Sequence, residues 1–237
     1  SKNKFKIITK IDSLKSVKKE NLKNVISRKI KLSLSKLNIK KIDDLLIHDF
    51  NDIKKHKNKL LECFKELQAT GLIKEFGVSI YHPKQALFCM KIKLIKHLQL
   101  PFNILDQRWL NKKFIKKLKK RSDIKIHVRS IFLRGLLLNK RDFWPSWFHN
   151  KDKVISMLEF FVRKFFLKSK VQLCLAYVQY FNWVNFIVLG VDNKRHLQII
   201  LENKKNKRLT HSNISHIVKN MGPIINNKKI LLPYKWK

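Results

Sequence analysis

Six times along the chain a short run of apolar or β-branched residues is followed by a stretch with helical spacing. That strict alternation restricts the fold more than any other feature. Residues 5–10 read as a strand, and Val25, Ile26, Ile30, Leu32, Leu34 and Leu37 then mark an amphipathic helix. Residues 44–48 form an apolar run of the doubly buried parallel type. Leu60, Leu61, Phe64 and Leu67 follow on a helix that stops at Gly71, a favoured residue for ending a helix. Residues 75–79 make the third strand, and Pro83 suits the first turn of the next helix. Strands at 93–100, broken by Pro101, at 124–130 and at 186–189 alternate with helices at 114–118, 154–167 and 171–181, and residues 197–201 lie in a closing helix.

Successive strand-helix units build parallel sheets with right-handed crossovers. The chain has 237 residues, close to the ~250 of a parallel barrel. With 5 glycines, 5 prolines and no small-residue linker, residues 1–237 read as a single domain. A six-stranded doubly wound sheet is the alternative, but no glycine-rich phosphate loop follows any strand. The expected class is therefore α/β, the larger part of a TIM-type barrel.

Polar residues recur at one place in each unit. Lys10, His48, Ser79, Gln99, Arg129 with Ser130, and Gly190 with Asp192 all stand at or just past the C-terminal end of a strand. In a parallel barrel those positions converge on the mouth where chemistry takes place.

The formal charge of +38 invites a polyanion-binding role. Most of the basic residues are lysines spread over nearly every helix, beside abundant Asn, Ile and Phe, which AT-rich codons also specify. Solvated helix faces account for them, and no specific nucleic-acid partner is expected. Cys63, Cys89 and Cys174 are far apart and form no metal-binding spacing, so they read as buried thiols and no metal is expected. Residues 171–191 carry no charge, but Gln172, Gln179, Asn182 and Asn185 divide them into a helix and a short strand rather than a membrane span. A cytoplasmic protein without a cleavable leader is the resulting expectation.

The strand ends resemble the aldo/keto reductase family. Phe5-Lys6-Ile7-Ile8-Thr9-Lys10 resembles its third strand, and Asp44-Leu45-Leu46-Ile47-His48 its fourth. Gly77-Val78-Ser79 is similar to its GVSN motif. Gln99-Leu100-Pro101-Phe102-Asn103 and His127-Val128-Arg129-Ser130 are similar to the sixth and seventh strands of a bacterial branch with QLPFN and HVRS segments. Gly190-Val191-Asp192-Asn193 resembles the loop that approaches the cofactor phosphate.

The resemblance implies an eight-stranded (β/α)8 barrel with about six strand-helix units in this chain and the first two strands missing from it. It implies hydride transfer from NADPH, with NADH as the alternative, to the carbonyl of an aldehyde or ketone. The substrate is a small carbonyl compound, a carbohydrate derivative among the candidates. Lys10 takes the role of the cation that lowers the pKa of a proton-donating Tyr, and His48 orients the carbonyl. Ser79 and Gln99 would hold the nicotinamide carboxamide. Arg129 stands where many relatives stack an aromatic on the nicotinamide, and Ser130, Gly190 and Asp192 would meet the phosphates. The family's catalytic Asp and Tyr lie before its third strand, and no residue of this chain is assigned to either role. Ile80 stands where many relatives have Asn. A second reading is a catalytically inactive barrel whose lysine-rich surface binds polyanions without specificity.

Overall fold

Parallel strands alternate with helices through residues 5–204 and 208–236, which the computed structural model describes. The early elements are β1 (Ile8–Ile11), α1 (Leu22–Lys36), β2 (Ile42–Ile47), α2 (Phe50–Ala69), β3 (Ile73–Ser79), α3 (Pro83–Cys89) and β4 (Ile95–Pro101). After them come α4 (Lys112–Lys119), β5 (Lys125–Arg129), α5 (Lys151–Lys164), α6 (Lys170–Gln179), β6 (Phe186–Ile187), α7 (Lys194–Lys204) and α8 (His211–Met221). The chain divides into two units, one reaching to Leu100 and including Lys116–Ile126, the other formed by Pro101–Ile115 and the residues from His127 onward.

In the first unit β1 pairs with β2, β2 with β3 and β3 with β4, all parallel. Side chains alternate across such strands, so register decides which residues share a face. Leu45 lies opposite Phe76, and Phe76 stacks on Phe64 of α2 at 3.9 Å between ring centres, so this face packs against the helices. The other face carries Lys10, Leu46, Gly77 and His97 in one row, since Lys10 pairs with Leu46, Leu46 with Gly77 and Gly77 with His97. Gly77 is required there. A Cβ on it would lie 2.5 Å from Cβ and the carbonyl oxygen of His97 and from Cδ2 of Leu46.

The helices of this unit follow their apolar spacing. On α1, Leu22, Ile26 and Ile30 are buried, while Leu32 and Leu37 of the expected stripe face solvent. The α2 helix starts earlier than its apolar run because Asp49 caps it, accepting from the Asn51 N–H at 2.9 Å, and it ends before Gly71 at φ +72°. At α3, His82 and Gln85 cap each other and Pro83 fills the first turn. Below β4, the Arg121 guanidinium donates to the carbonyls of Met90 at 2.6 Å and Ile95 at 3.0 Å, and Asp123 pairs with it at 2.8 Å.

Several boundaries differ from the sequence reading, β6 among them, which ends at Ile187 rather than at Leu189. Pro101 is the last residue of β4 rather than its breaker, because a missing N–H is tolerated at a strand end. The first strand begins at Ile8, and Phe5 is exposed. α7 does not close the chain, because α8 follows it.

In the second unit β5 pairs with β6 in parallel, His127 opposite Phe186 and Val128 opposite Ile187. An aromatic cluster organises the core: Phe102 lies 5.6 Å from Tyr177, 5.1 Å from Phe181 and 5.0 Å from Trp183. α6 is buried from Gln172 to Val178, as its uncharged sequence dictates. α8 is tied down where Gln107 Nε2 donates to the Val218 carbonyl at 2.6 Å, and its start is fixed by reciprocal capping between Thr210 and Asn213. Among the described residues no helix is long and apolar enough to cross a membrane.

Candidate active site

Four of the singled-out residues lie in the first unit, on the face opposite the helices. Ser79 and Gln99 are register partners at the ends of β3 and β4. His48 follows β2 directly, with its N–H donating to the Ile11 carbonyl at 3.0 Å, and its side chain is exposed. Lys10 sits one row lower and is half-buried. The strand order therefore presents a cation, an imidazole, a hydroxyl and an amide along the ends of four consecutive strands.

Ser79 and Gln99 are buried, yet among the described residues neither Ser79 Oγ nor Gln99 Oε1 has a hydrogen-bond partner. Leaving such a group unsatisfied costs about 1–3 kcal/mol. A hydroxyl that can donate beside an amide oxygen that accepts is the complement of a carboxamide, which offers one C=O and one NH2. These two residues fit the nicotinamide amide by that test.

Beneath this row lies a network that the sequence reading missed. His97 Nε2 stands 3.1 Å from Asp44 and 2.5 Å from Glu75, and Lys125 Nζ lies 2.8 Å from the same Glu75 oxygen. Both neighbours of Nε2 are acceptors, so that nitrogen carries the proton. Burial opposes ionisation of Glu75, but the hydrogen bonds and charges of Lys125 and His97 outweigh it and hold the carboxyl below its ordinary range. Asp44 lies four residues before His48, and Glu75 four before Ser79, which puts them on the same face two rows down. That period was visible in the sequence, while the contact between strands was not.

The remaining predicted residues belong to the second unit. Ser130, Gly190 and Asp192 line one pocket of about 650 Å³, together with Arg134, Gly135 and His196. Arg129 is not among the lining residues. It is half-buried, and its carbonyl accepts from the Phe102 N–H at 3.1 Å. Beside the pocket the backbone turns sharply: Ser130, Leu133 and Arg134 have φ of 60°, 50° and 55°, and Gly135 follows at 84°. Side chains rarely adopt such angles, so the turn is held from outside. The Leu133 N–H donates to the Ser130 carbonyl at 2.9 Å, and Asn139 Nδ2 to the Gly135 carbonyl at 2.9 Å. Among the described residues the N–H groups of Ile131, Phe132, Arg134 and Gly135 have no acceptor, so the turn offers a set of free donors. α7 begins at the same pocket, with Asn193 accepting from the His196 N–H at 2.9 Å.

A sequence profile of the aldo/keto reductase family matches residues 1–220. The chain belongs to the aldo/keto reductase family. Membership makes it an oxidoreductase of the family that acts on carbonyl compounds. No curated protein sequence matches it. Among solved structures it is similar to the aldo-keto reductase AKR11C1 from Bacillus halodurans. The apo form is 21% identical with a TM-score of 0.73, over 94% of this chain and 74% of that one. The holo form gives 20% and 0.73, over 95% and 75%. It is also similar to the glycerol dehydrogenase AKR11B4 from Gluconobacter oxydans, at 19% identity and a TM-score of 0.67, over 86% of this chain and 66% of that one. These likenesses establish the fold, six parallel strand-helix units of a TIM-type aldo/keto reductase barrel. The GVS, QLPFN and HVRS segments that carry the family resemblance fall at the ends of β3, β4 and β5.

Proposed function

We propose that the chain is the catalytic domain, residues 1–237, of a cytoplasmic NAD(P)H-dependent reductase that converts an aldehyde or ketone to an alcohol, with NADPH as the preferred cofactor. The observation that carries this reading is the register pair Ser79 and Gln99, two buried polar groups with no partner among the described residues. When bound, the cofactor supplies the hydride. Every other requirement falls on side chains. Ser79 and Gln99 hold the carboxamide and fix which ring face meets the substrate. Ser130, Gly190 and Asp192 belong to the phosphate-binding pocket, and Arg129 takes the position beside the nicotinamide.

Negative charge builds on the carbonyl oxygen as the hydride arrives, and it must be met by a positioned proton. His48 is the group that orients that oxygen, and its exposure leaves it accessible to substrate. Lys10 supplies the positive charge that lowers the pKa of the proton donor. Two of the family's four catalytic roles are thus assigned in this chain and two are not, so residues 1–237 alone should bind cofactor but turn over little. A small carbonyl compound is the substrate class, with carbohydrate derivatives as the first to try. Following NADPH oxidation against a panel of aldehydes and ketones tests this, for the chain as given and for the chain supplied with a family proton donor. Turnover only in the second case supports the reading. No turnover in either case, with no cofactor binding, would favour an inactive barrel.

A further inference from the structure

Lysines in much of the chain answer acids: Lys23 lies 2.8 Å from Glu66, Lys59 3.2 Å from Glu62 and Lys170 2.9 Å from Glu159. One face of the second unit is built differently. Residues 203–237 contain no Asp or Glu and nine Lys or Arg. Cations there lie over aromatic rings, with Lys229 Nζ 4.9 Å from the centre of Trp147 and Lys235 Nζ 5.9 Å from that of Tyr234. The same segment is fastened to the residues before α5, because Asn150 Nδ2 donates to the Ile224 carbonyl at 2.7 Å. Trp236 Nε1 donates to the carbonyls of Lys229 at 3.3 Å and Ile230 at 3.2 Å, which ties the turn Pro233–Lys235 to the turn Lys228–Leu231. Arg141 pairs with Asp152 at 3.0 Å and fixes the turn Arg141–Phe143 at the start of α5. Phe143 is 67% exposed and Tyr234 46%, and Lys140, Lys153, Lys228 and Lys235 of the same segments are exposed as well.

We propose that this face of the second unit docks onto an anionic phospholipid surface. The proposal does not depend on the cofactor reading above. Aromatic rings interleaved with lysines suit the boundary between headgroups and acyl chains, where the rings enter the interface and the ammonium groups stay with the phosphates. The local excess of cations supplies the attraction to an anionic leaflet. Single-stranded nucleic acid would meet the same charges, but it needs bare ring faces for stacking, and a face of Trp147 and of Tyr234 already carries an ammonium. Nucleic-acid recognition also draws on arginine, and Arg141 is held by Asp152. Phe143 has no polar atom to offer a nucleotide, whereas a phenyl ring gains by leaving water for the lipid interface.

Flotation of the purified protein with phosphatidylcholine vesicles, with and without about 30 mol % phosphatidylserine at roughly 0.1 M salt, tests this. The protein should float with the anionic vesicles and stay behind with the neutral ones. Lys228→Glu and Lys235→Glu together should lower the partition coefficient by roughly 10- to 100-fold, and Phe143→Ser by about 3-fold or more. Lys54→Glu with Lys57→Glu, the same charge change on exposed residues of α2, should stay within about 3-fold. All these positions are exposed, and unchanged circular dichroism keeps folding apart from binding. No flotation with anionic vesicles would overturn the proposal. Equal loss in the two double variants, or binding indifferent to Phe143→Ser, would trace the attraction to bulk charge and overturn the face. Tighter binding of a uridine oligonucleotide than of anionic vesicles at the same salt, lost in Phe143→Ser, would assign the face to nucleic acid instead.

Discussion

Ser79 and Gln99 face each other across neighbouring parallel strands, in register, each with a buried oxygen that no described residue satisfies. Stability alone gives no reason to keep such a pair, because either position would cost less as an apolar side chain. A ligand that satisfies both oxygens removes the penalty. Gln99→Ala should therefore leave thermal stability equal or slightly higher while weakening NADPH by about 1 kcal/mol or more, roughly 5-fold or greater. Melting curves with and without NADPH separate the two effects. A variant that loses stability and keeps its affinity would show that Gln99 serves the fold.

Gly77 tests the inward face in a different way. Its missing Cβ makes room for backbone as well as side-chain atoms of His97, so relief would require moving β4. Gly77→Ala should cost about 3 kcal/mol or more, at the upper end of overpacking effects. Denaturant unfolding measures it. A cost below about 1 kcal/mol would mean that the spacing of β3 and β4 yields easily.

The network around Glu75 gives the fold a dependence on acid. Its carboxyl is held below the ordinary range in the folded chain, so it contributes stability above its unfolded pKa of about 4.3. That contribution is lost as pH falls through the folded value. Glu75→Gln should flatten the stability profile below about pH 5, and at neutral pH it should destabilise by about 1–3 kcal/mol because a neutral amide replaces the carboxylate that His97 and Lys125 share. Unfolding curves at a series of pH values check the sign. A variant with the unmodified protein's acid slope would place the origin of that slope elsewhere.

Lys10 bears on chemistry rather than affinity. In a protein that also carries the family proton donor, Lys10→Met should keep NADPH affinity and lower kcat by about two orders of magnitude, because the donor's pKa rises without the neighbouring cation. Steady-state kinetics with one good aldehyde decides it, and an unimpaired variant would remove Lys10 from the catalytic set.

Much of this was legible from residue order. Parallel strands buried on both faces read as apolar runs, which is why β2 and β3 were found to within two residues. His48, Ser79 and Gln99 could be picked out because a polar residue closing an apolar run needs a reason. α8 was not found: its Ser, Asn and His are weak helix formers, and it rests on a capping pair and on buried Ile214 and Ile217. Asp44, Glu75 and His97 were missed for another reason. Each stands beside another polar residue in its own strand, and only the register between strands brings the three together.

Direct titration of the purified protein with NADPH and NADH by calorimetry tests whether these strand ends form a nicotinamide-cofactor site. The expected result is one site, micromolar or tighter binding of NADPH, weaker binding of NADH, and clear loss of affinity in a Ser79→Ala, Gln99→Ala double variant that remains folded. No heat of binding with either nucleotide, or binding indifferent to the double substitution, would contradict it.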